Sequence, residues 1–415
     1  MDFDYSQDQK LVRDMVRQFG KDSVEPSLAE MDENEEIPRP IWREMASLGL
    51  FGLASPESLG GSGVSLLTQV IVAEELGRVS ASLAVTVAHH GFLLPALLME
   101  CGGEDQRSRC LPEICSGKVL GTVAPSPVSL GGPVDASRGS DAVESPVESD
   151  IAVVPDGPGW RLDGKADWVV NGKGYGIGGL FARMKDSVEA FLVSPGAGGL
   201  SAEPITGKLG LRPVDFARWT FSGCPVDANA RLRCGEAQGG ASVRRGLRLL
   251  SDLFLGAVGV GLTQACADVS IAYAKERKQF GRPIGSFQLV QDLIARMVFD
   301  VEAARLLVYR AAFEAGGKGL RLGACRETIA RARSFSADAA LRAGTDTVQV
   351  HGGYGFSSEY PAERLFRDAR ALALLSGGTG ELLRVSAAPV VKEALSESSG
   401  LPPGGPSFGF AQDKL

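Results

Sequence analysis

Residues 272–288 read AYAKERKQFGRPIGSFQ, and the fold turns on what this run does. A helix comes down to a glycine turn at Gly281, Arg277 and Phe280 are carried at its end, and a second helix opens at Phe287-Gln288. Arginine suits a pyrophosphate through paired hydrogen bonds, and phenylalanine offers a face to a flat ring. Taken alone, the run is equally a charged helix end. Further along, residues 349–383 (QVHGGYGFSSEYPAERLFRDARALALLSGGTGELL) hold two glycine turns separated by a charged helix. The first is His351-Gly352-Gly353-Tyr354-Gly355 and the second Ser376-Gly377-Gly378-Thr379-Gly380-Glu381. Glycines at this density let backbone N–H groups face an anion or a flat cofactor unobstructed, although most such turns are plain helix connections.

Outward from these turns the chain divides by composition. Residues 1 to about 116 read as helical. Ser6 is placed to cap a helix whose apolar positions Leu11, Val12, Met15, Val16 and Phe19 follow the 3.6 period. Pro38 and Pro40 precede a short helix over Ile41–Leu48, and helices are predicted over Leu66–Leu76, Ser82–Cys101 and Glu104–Cys115. From 117 to 234 short alternating runs with frequent turn signals predict a β domain, with strands at 160–165, 189–193 and 218–221. Residues 126–150 read as a mobile loop. Helix returns at about 240, in long runs (Leu247–Lys275, Phe287–Ala315, Cys325–Val350) that predict an antiparallel bundle over 235–396, and the tail 397–415 reads as disordered. Helices, strands and helices in blocks are an α+β order. No G-x-G-x-x-G follows a strand, which argues against a Rossmann sheet.

Length and composition narrow the function. At 415 residues there is room for two or three domains. Net charge is −7 with basic residues interspersed among acidic ones, which argues against nonspecific nucleic-acid binding. The longest apolar run, Ala84–Met99, is interrupted by His89 and His90, so no membrane span is predicted. The acidic, polar start MDFDYSQDQK does not read as a targeting peptide. Seven cysteines without a C-x-x-C pair, and only three histidines, predict reduced thiols in a cytoplasmic protein with no metal site.

Together these motifs resemble the acyl-CoA dehydrogenase family of flavoproteins, over about residues 4–396. The resemblance is carried by SQDQKLVRDMVRQF (6–19), PESLGGSG (56–63), AEELGR (73–78), GKADWVVNG (164–172), KLGLRPVDFARWTFSGCPV (208–226), ERKQFGRPIGSFQ (276–288) and QVHGGYGF (349–356), in order and at family-like spacing. It implies an N-terminal helical domain (1–116), a middle β-barrel domain (117–234) and a C-terminal four-helix bundle (235–396). It also implies a homotetramer, or a hetero-oligomer with a paralogue, binding FAD between subunits and passing electrons to an electron-transfer flavoprotein. Arg277, Phe280 and Gln288 are then expected at the pyrophosphate and adenine end of a neighbour's FAD. Gln349, Gly352 and Gly353 are expected at the adenosine diphosphate portion, Trp168 near the isoalloxazine, and Thr379 and Glu381 beside the cofactor.

The chemistry implied is oxidation of the α,β C–C bond of an acyl-CoA thioester. A carboxylate removes the α-proton, the β-hydrogen leaves as hydride to flavin N5, and hydrogen bonds to the thioester carbonyl stabilise developing enolate charge. A positioned base contributes ~10²–10⁴-fold in rate. The sequence departs from the family there. The usual glutamate, two residues before the threonine of the second glycine turn, is replaced by Gly377. The alternative glutamate of some branches aligns with Ser251, next to Asp252. Asp252 is the nearest carboxylate to either position, and its bland role is helix-terminal charge compensation. His89 and His90, on an apolar helix, read as a buried hydrogen-bonded pair ahead of a catalytic one. The flavin-side strand reads Thr122-Val123-Ala124-Pro125-Ser126-Pro127, and Trp168-Val169-Val170 lacks the family's hydroxyl. Three readings follow: a dehydrogenase with a relocated base, a reaction on a CoA thioester needing no such base (elimination, or 1,4-dehydrogenation of a cyclic acyl-CoA), and a non-catalytic partner subunit.

Overall fold

The structure is a computed structural model, and it describes residues 4–124, 150–234 and 239–375. The second glycine turn, with Gly377, Thr379 and Glu381, lies outside the described residues, as do most of 126–150 and the tail.

The N-terminal part is helical. Helix α1 (Gln7–Phe19) begins at a capping box: Ser6 Oγ accepts from Gln9 N–H at 3.2 Å, and Gln9 Oε1 accepts from Ser6 N–H at 3.0 Å. Short α2 (Leu28–Asn34) and α3 (Arg39–Ser47) follow, then α4 (Leu66–Val79). The apolar run beyond it is one helical rod in three parts. These are α5 (Ala81–Val87), a π-helical turn (Ala88–Leu93) and α6 (Leu94–Cys101). Pro95 sits in the first turn of α6, and the widened turn before it accommodates its missing N–H. Helix α7 (Glu104–Cys115) completes this part.

The middle part is an eight-stranded sheet. Its strands are β1 (Gly121–Ala124), β2 (Ile151–Asp156), β3 (Gly159–Val170), β4 (Ile177–Met184), β5 (Ser187–Val193), β6 (Leu200–Ile205), β7 (Phe216–Val226) and β8 (Arg231–Leu232). They pair in the order β6-β7-β3-β2-β4-β5-β8, with β1 parallel to β4. The sheet has a core of its own, centred on fully buried Trp219, whose Nε1 donates to the Gly172 carbonyl at 2.8 Å.

The C-terminal part is a bundle of α8 (Gly239–Glu276), α9 (Gln288–Ala315), α10 (Arg326–His351) and α11 (Ala362–Leu374). Helix α8 is its axis, packed by α9, α10 and α11 and, from the other side, by α4. The α4–α8 crossing is a glycine contact. A Cβ on Gly77 would come within 2.9 Å of Val258 backbone atoms, and one on Gly261 would overlap the Glu74 carbonyl. Ion pairs flank the crossing: Arg17 of α1 grips Glu75 through Nε and Nη2 at 2.8 and 2.7 Å, and Arg305 of α9 reaches Glu74 at 2.9 Å. One apolar cluster therefore runs from Val16 to Leu375 through both helical parts.

Two helical stretches, Ala81–Cys101 and Gly239–Glu276, are long and apolar enough to cross a membrane by length and composition, where the sequence reading expected none. Their apolar windows are 89% and 94% buried inside the protein, which is where core helices of this composition belong.

Candidate functional site

The Arg277 run and the first glycine turn meet. The last turn of α8, the first turn of the following segment and the α10 C-terminus enclose an open cleft of ≈ 570 Å³. Arg277, Gln279, Gly352, Gly353 and Tyr354 are among the residues lining it. Added Cβ atoms at Gly352 and Gly353 would meet nothing within 4 Å, so the backbone there faces open space, and Gly352 has a φ of 60°.

Between the two helices, β9 (Lys278–Gln279) and β10 (Arg282–Pro283) form a minimal hairpin with Arg282 opposite Gln279. Its two-residue loop is Phe280-Gly281, with φ values of 51° and 79°. Positive φ at both loop positions matches the twist of a tight hairpin. For a phenylalanine it costs about 1–2 kcal/mol. The side chain so placed is 91% exposed and rests edge-on against Phe287 at 6.1 Å. Gln288 opens α9, and Gln349 lies on the last turn of α10; both are exposed.

Sequence reasoning missed an aromatic wall of this cleft. Tyr273 and His351 stack with centroids 4.2 Å apart, and Tyr360 stands edge-on to both. Arg277 lies 5.2 Å over the Tyr354 ring. His351 Nδ1 is held by the Thr347 carbonyl at 2.8 Å, and burial lowers its pKa, which keeps the ring uncharged at neutral pH. The signal was present as Tyr273 and Tyr360 on either side of the quoted motifs, but their convergence depends on how α8 and α10 cross.

Trp168 stands apart from this cleft. It occupies a bulge in the β3–β7 pairing, between Ala166 and Val169, with φ 57°. Its half-buried ring meets Phe216 edge-on at 5.7 Å and packs toward the helical core. Bulges re-aim side chains at functional sites. The two aromatic residues expected at the cofactor are thus both held in left-handed backbone, a conformation of six non-glycine residues among those described.

Asp252 lies within the bundle. It is 2% exposed on α8, and its charge acts on Arg333, a fully buried residue of α10. Arg333 Nη2 donates to the Leu372 carbonyl at 2.6 Å, and burial lowers the guanidinium pKa to about 10. Asp252 therefore sits inside the bundle, close enough for its charge to favour the Arg333 guanidinium. Ser251 beside it is buried too. His89 and His90 lie in the π-helical turn. His89 Nδ1 bonds the Val85 carbonyl at 3.1 Å, and His90 Nδ1 accepts from Gly121 N–H at 2.9 Å while its ring packs on Phe51 and Trp42. Burial drives their pKa values to about 4 and about 3, so both are neutral in the folded chain.

A guanidinium, an unobstructed glycine backbone and exposed aromatic faces fit an anionic nucleotide with flat rings. No group of three or more potential metal ligands occurs among the described residues. Comparison with known proteins gives this site its family. Residues 6–118 match the family model of the acyl-CoA dehydrogenase N-terminal domain, and residues 253–391 that of the C-terminal domain. Benzylmalonyl-CoA dehydrogenase of Aromatoleum aromaticum is 31% identical over 387 residues, covering 93% of this chain and 98% of its own. A solved glutaryl-coenzyme A dehydrogenase in complex with glutaryl-CoA superposes with a TM-score of 0.84 at 29% identity, covering 94% and 97% of the two chains. A chain from the structure of the electron transferring flavoprotein of Acidaminococcus fermentans gives a TM-score of 0.84 at 28% identity, covering 94% and 100%. The chain belongs to the acyl-CoA dehydrogenase family, FAD-dependent oxidoreductases acting on CH–CH bonds.

Proposed function

We propose that this chain oxidises the α,β C–C bond of an acyl-CoA thioester and passes the electrons to an electron-transfer flavoprotein, with an atypical base. The observation that carries the proposal is the convergence of Arg277, Gly352 and Gly353 on one open cleft beside a strained, exposed Phe280. An aromatic held at such cost and left in water is accounted for by a ligand that covers it. In this reading Arg277 neutralises the FAD pyrophosphate, and Gly352 and Gly353 allow close approach of the adenosine diphosphate portion. Phe280, Gln288 and Gln349 flank it, and Trp168 borders the flavin ring. Thr379 and Glu381 complete the set beyond the described residues. Bound FAD supplies the hydride acceptor.

A homotetramer in the cytoplasm suits this reading. Phe299, Leu306 and Phe313 repeat every seven residues along α9 and are 72%, 54% and 79% exposed, a seam suited to burial against another subunit.

The base is the unusual part. Gly377 carries no side chain, and Asp252, the nearest carboxylate, is 2% exposed inside the bundle. The glycine at 377 also favours a second reading, a non-catalytic subunit that binds FAD beside an active paralogue. Anaerobic titration of the yellow protein with a panel of acyl-CoAs separates the two. Bleaching of the flavin band by any of them supports the dehydrogenase. A yellow protein that never bleaches, but gains activity on ordinary acyl-CoAs as Gly377→Glu, supports the scaffold. A colourless protein that takes up no FAD sinks both.

A further inference from the structure

Outside the residues that line the cofactor cleft, two thiols face one another. Cys101 is the last residue of α6, and Cys234 follows β8 where the sheet leads back toward α8. Their sulfurs are 2.7 Å apart, with Cys101 donating to Cys234. The backbone holds them there: Arg233 N–H donates to the Cys101 carbonyl at 2.8 Å, and Cys234 N–H to the Leu232 carbonyl at 3.2 Å. We propose that Cys101 and Cys234 are a redox modification site, forming a reversible disulfide that ties the end of α6 to the exit of the sheet. Only a small further closure separates the two sulfurs from bonding distance, about 2.05 Å.

The two thiols differ in a way that sets the order of events. Cys101 is 2% exposed, whereas Cys234 is half-buried and reachable from solvent. The hydrogen bond from Cys101 lowers the Cys234 pKa, and that same bond followed by burial raises Cys101's. Thiolate character and access together make Cys234 the attacking sulfur. The oxidant is a low-molecular-weight disulfide, RSSR. Cys234 thiolate attacks one of its sulfurs, breaking the RS–SR bond and releasing one RS⁻. Cys101, losing its proton, then attacks Cys234 Sγ, forming the Cys101–Cys234 bond and releasing the second RS⁻. Two electrons pass from the cysteine pair to RSSR, and the two protons end on two molecules of RSH.

The remaining cysteines provide the internal control. Cys110, Cys115, Cys224, Cys266 and Cys325 are all buried. The test is to incubate the native, flavin-loaded protein with oxidised glutathione, quench, unfold and count alkylatable thiols. The reduced chain has seven cysteines, and the proposal expects five free thiols after oxidation, restored to seven by dithiothreitol. Peptide mapping should find the Cys101 and Cys234 peptides linked, and Cys234→Ser should keep six free thiols under the same oxidant. Seven free thiols in the oxidised wild type, or a linkage joining any other pair, overturns the proposal. So does loss of two thiols from Cys234→Ser. If that variant fails to fold, the linkage map of the wild type decides alone.

Discussion

Lowering the pH from 7 to 5 should weaken the fold by a calculable amount, through two histidines. His89 and His90 are buried and neutral, with pKa values depressed from 6.5 to about 4 and about 3. Unfolded, each titrates near ~6.5. Below that pH the unfolded chain binds protons that the folded chain refuses, so stability falls as pH falls through the window from about 6.5 to about 3–4. At pH 5 each histidine costs ~2 kcal/mol, about 4 kcal/mol for the pair, at 1.36 kcal/mol per pH unit and proton. Asp368 opposes them. Burial raises its pKa to about 6 even though it accepts from Leu211 N–H at 2.6 Å. The folded chain therefore holds a proton there more tightly than the unfolded one, and acidification relieves ~1 kcal/mol over the same interval. The net loss from these three groups is about 2–3 kcal/mol. Urea unfolding midpoints across this range, at fixed protein concentration, measure it. The double variant His89→Asn/His90→Asn keeps a side-chain amide near each Nδ1 and removes the titration, so its stability should hold or rise as pH falls. An unchanged pH slope in that variant refutes the assignment of acid sensitivity to the π-helical turn.

Other perturbations probe the cleft and the helix crossing. Arg277→Gln removes a charged donor from the proposed pyrophosphate site and should raise the FAD dissociation constant by ~10–100-fold, from about 1.5–3 kcal/mol for a charge-assisted hydrogen bond; flavin fluorescence released on dilution reads this. Phe280→Gly relieves the left-handed strain and should raise the stability of the FAD-free protein by up to ~1–2 kcal/mol while weakening FAD retention, a split that thermal unfolding with and without FAD resolves. Were Phe280 an ordinary surface residue, only the first effect would be seen. Gly261→Ala puts a methyl against the Glu74 carbonyl and should cost ~1–3 kcal/mol or more by forcing α4 from α8. A variant with an unchanged urea midpoint contradicts that contact.

What the sequence made legible was local. The Ser6/Gln9 capping box needs only a three-residue spacing, and it starts α1 where expected. The long bundle helices announce themselves by periodicity; α8 begins at Gly239, beside the return of helix expected at about 240, although its clear apolar period starts only at Leu247. Its first turns hold Gly239, Gly240 and the arginines at 244, 245 and 248, which blur the apolar period; a Cβ at Gly240 would overlap the Val188 carbonyl, so tertiary packing specifies that end. The same limit applies at the site. Arg277 and the glycine turn could be named from their residue types. The left-handed backbone of Trp168 comes from a bulge set by β7, 50 or so residues away, and the burial of Asp252 and Arg333 from the packing of α8 on α10. Neither is written in a window of sequence. Cys101 and Cys234 likewise show no diagnostic spacing, since the sheet is inserted between them.

The glycine contact between α4 and α8 also sets a problem of timing during synthesis. Gly77 meets its partner helix only when Gly261 has been made, 184 residues later (261 − 77). At ~5–20 residues per second the ribosome leaves the apolar side of α4 waiting roughly 10–40 s for its cover. The intervening sheet closes a core around Trp219 and adds Phe181, Leu192 and Phe216 to the helical core, but it is α8 that packs on the α4 glycine. Nascent chains stopped before residue 261 should therefore hold chaperones on the α4 face, and chains extended through α8 should release them.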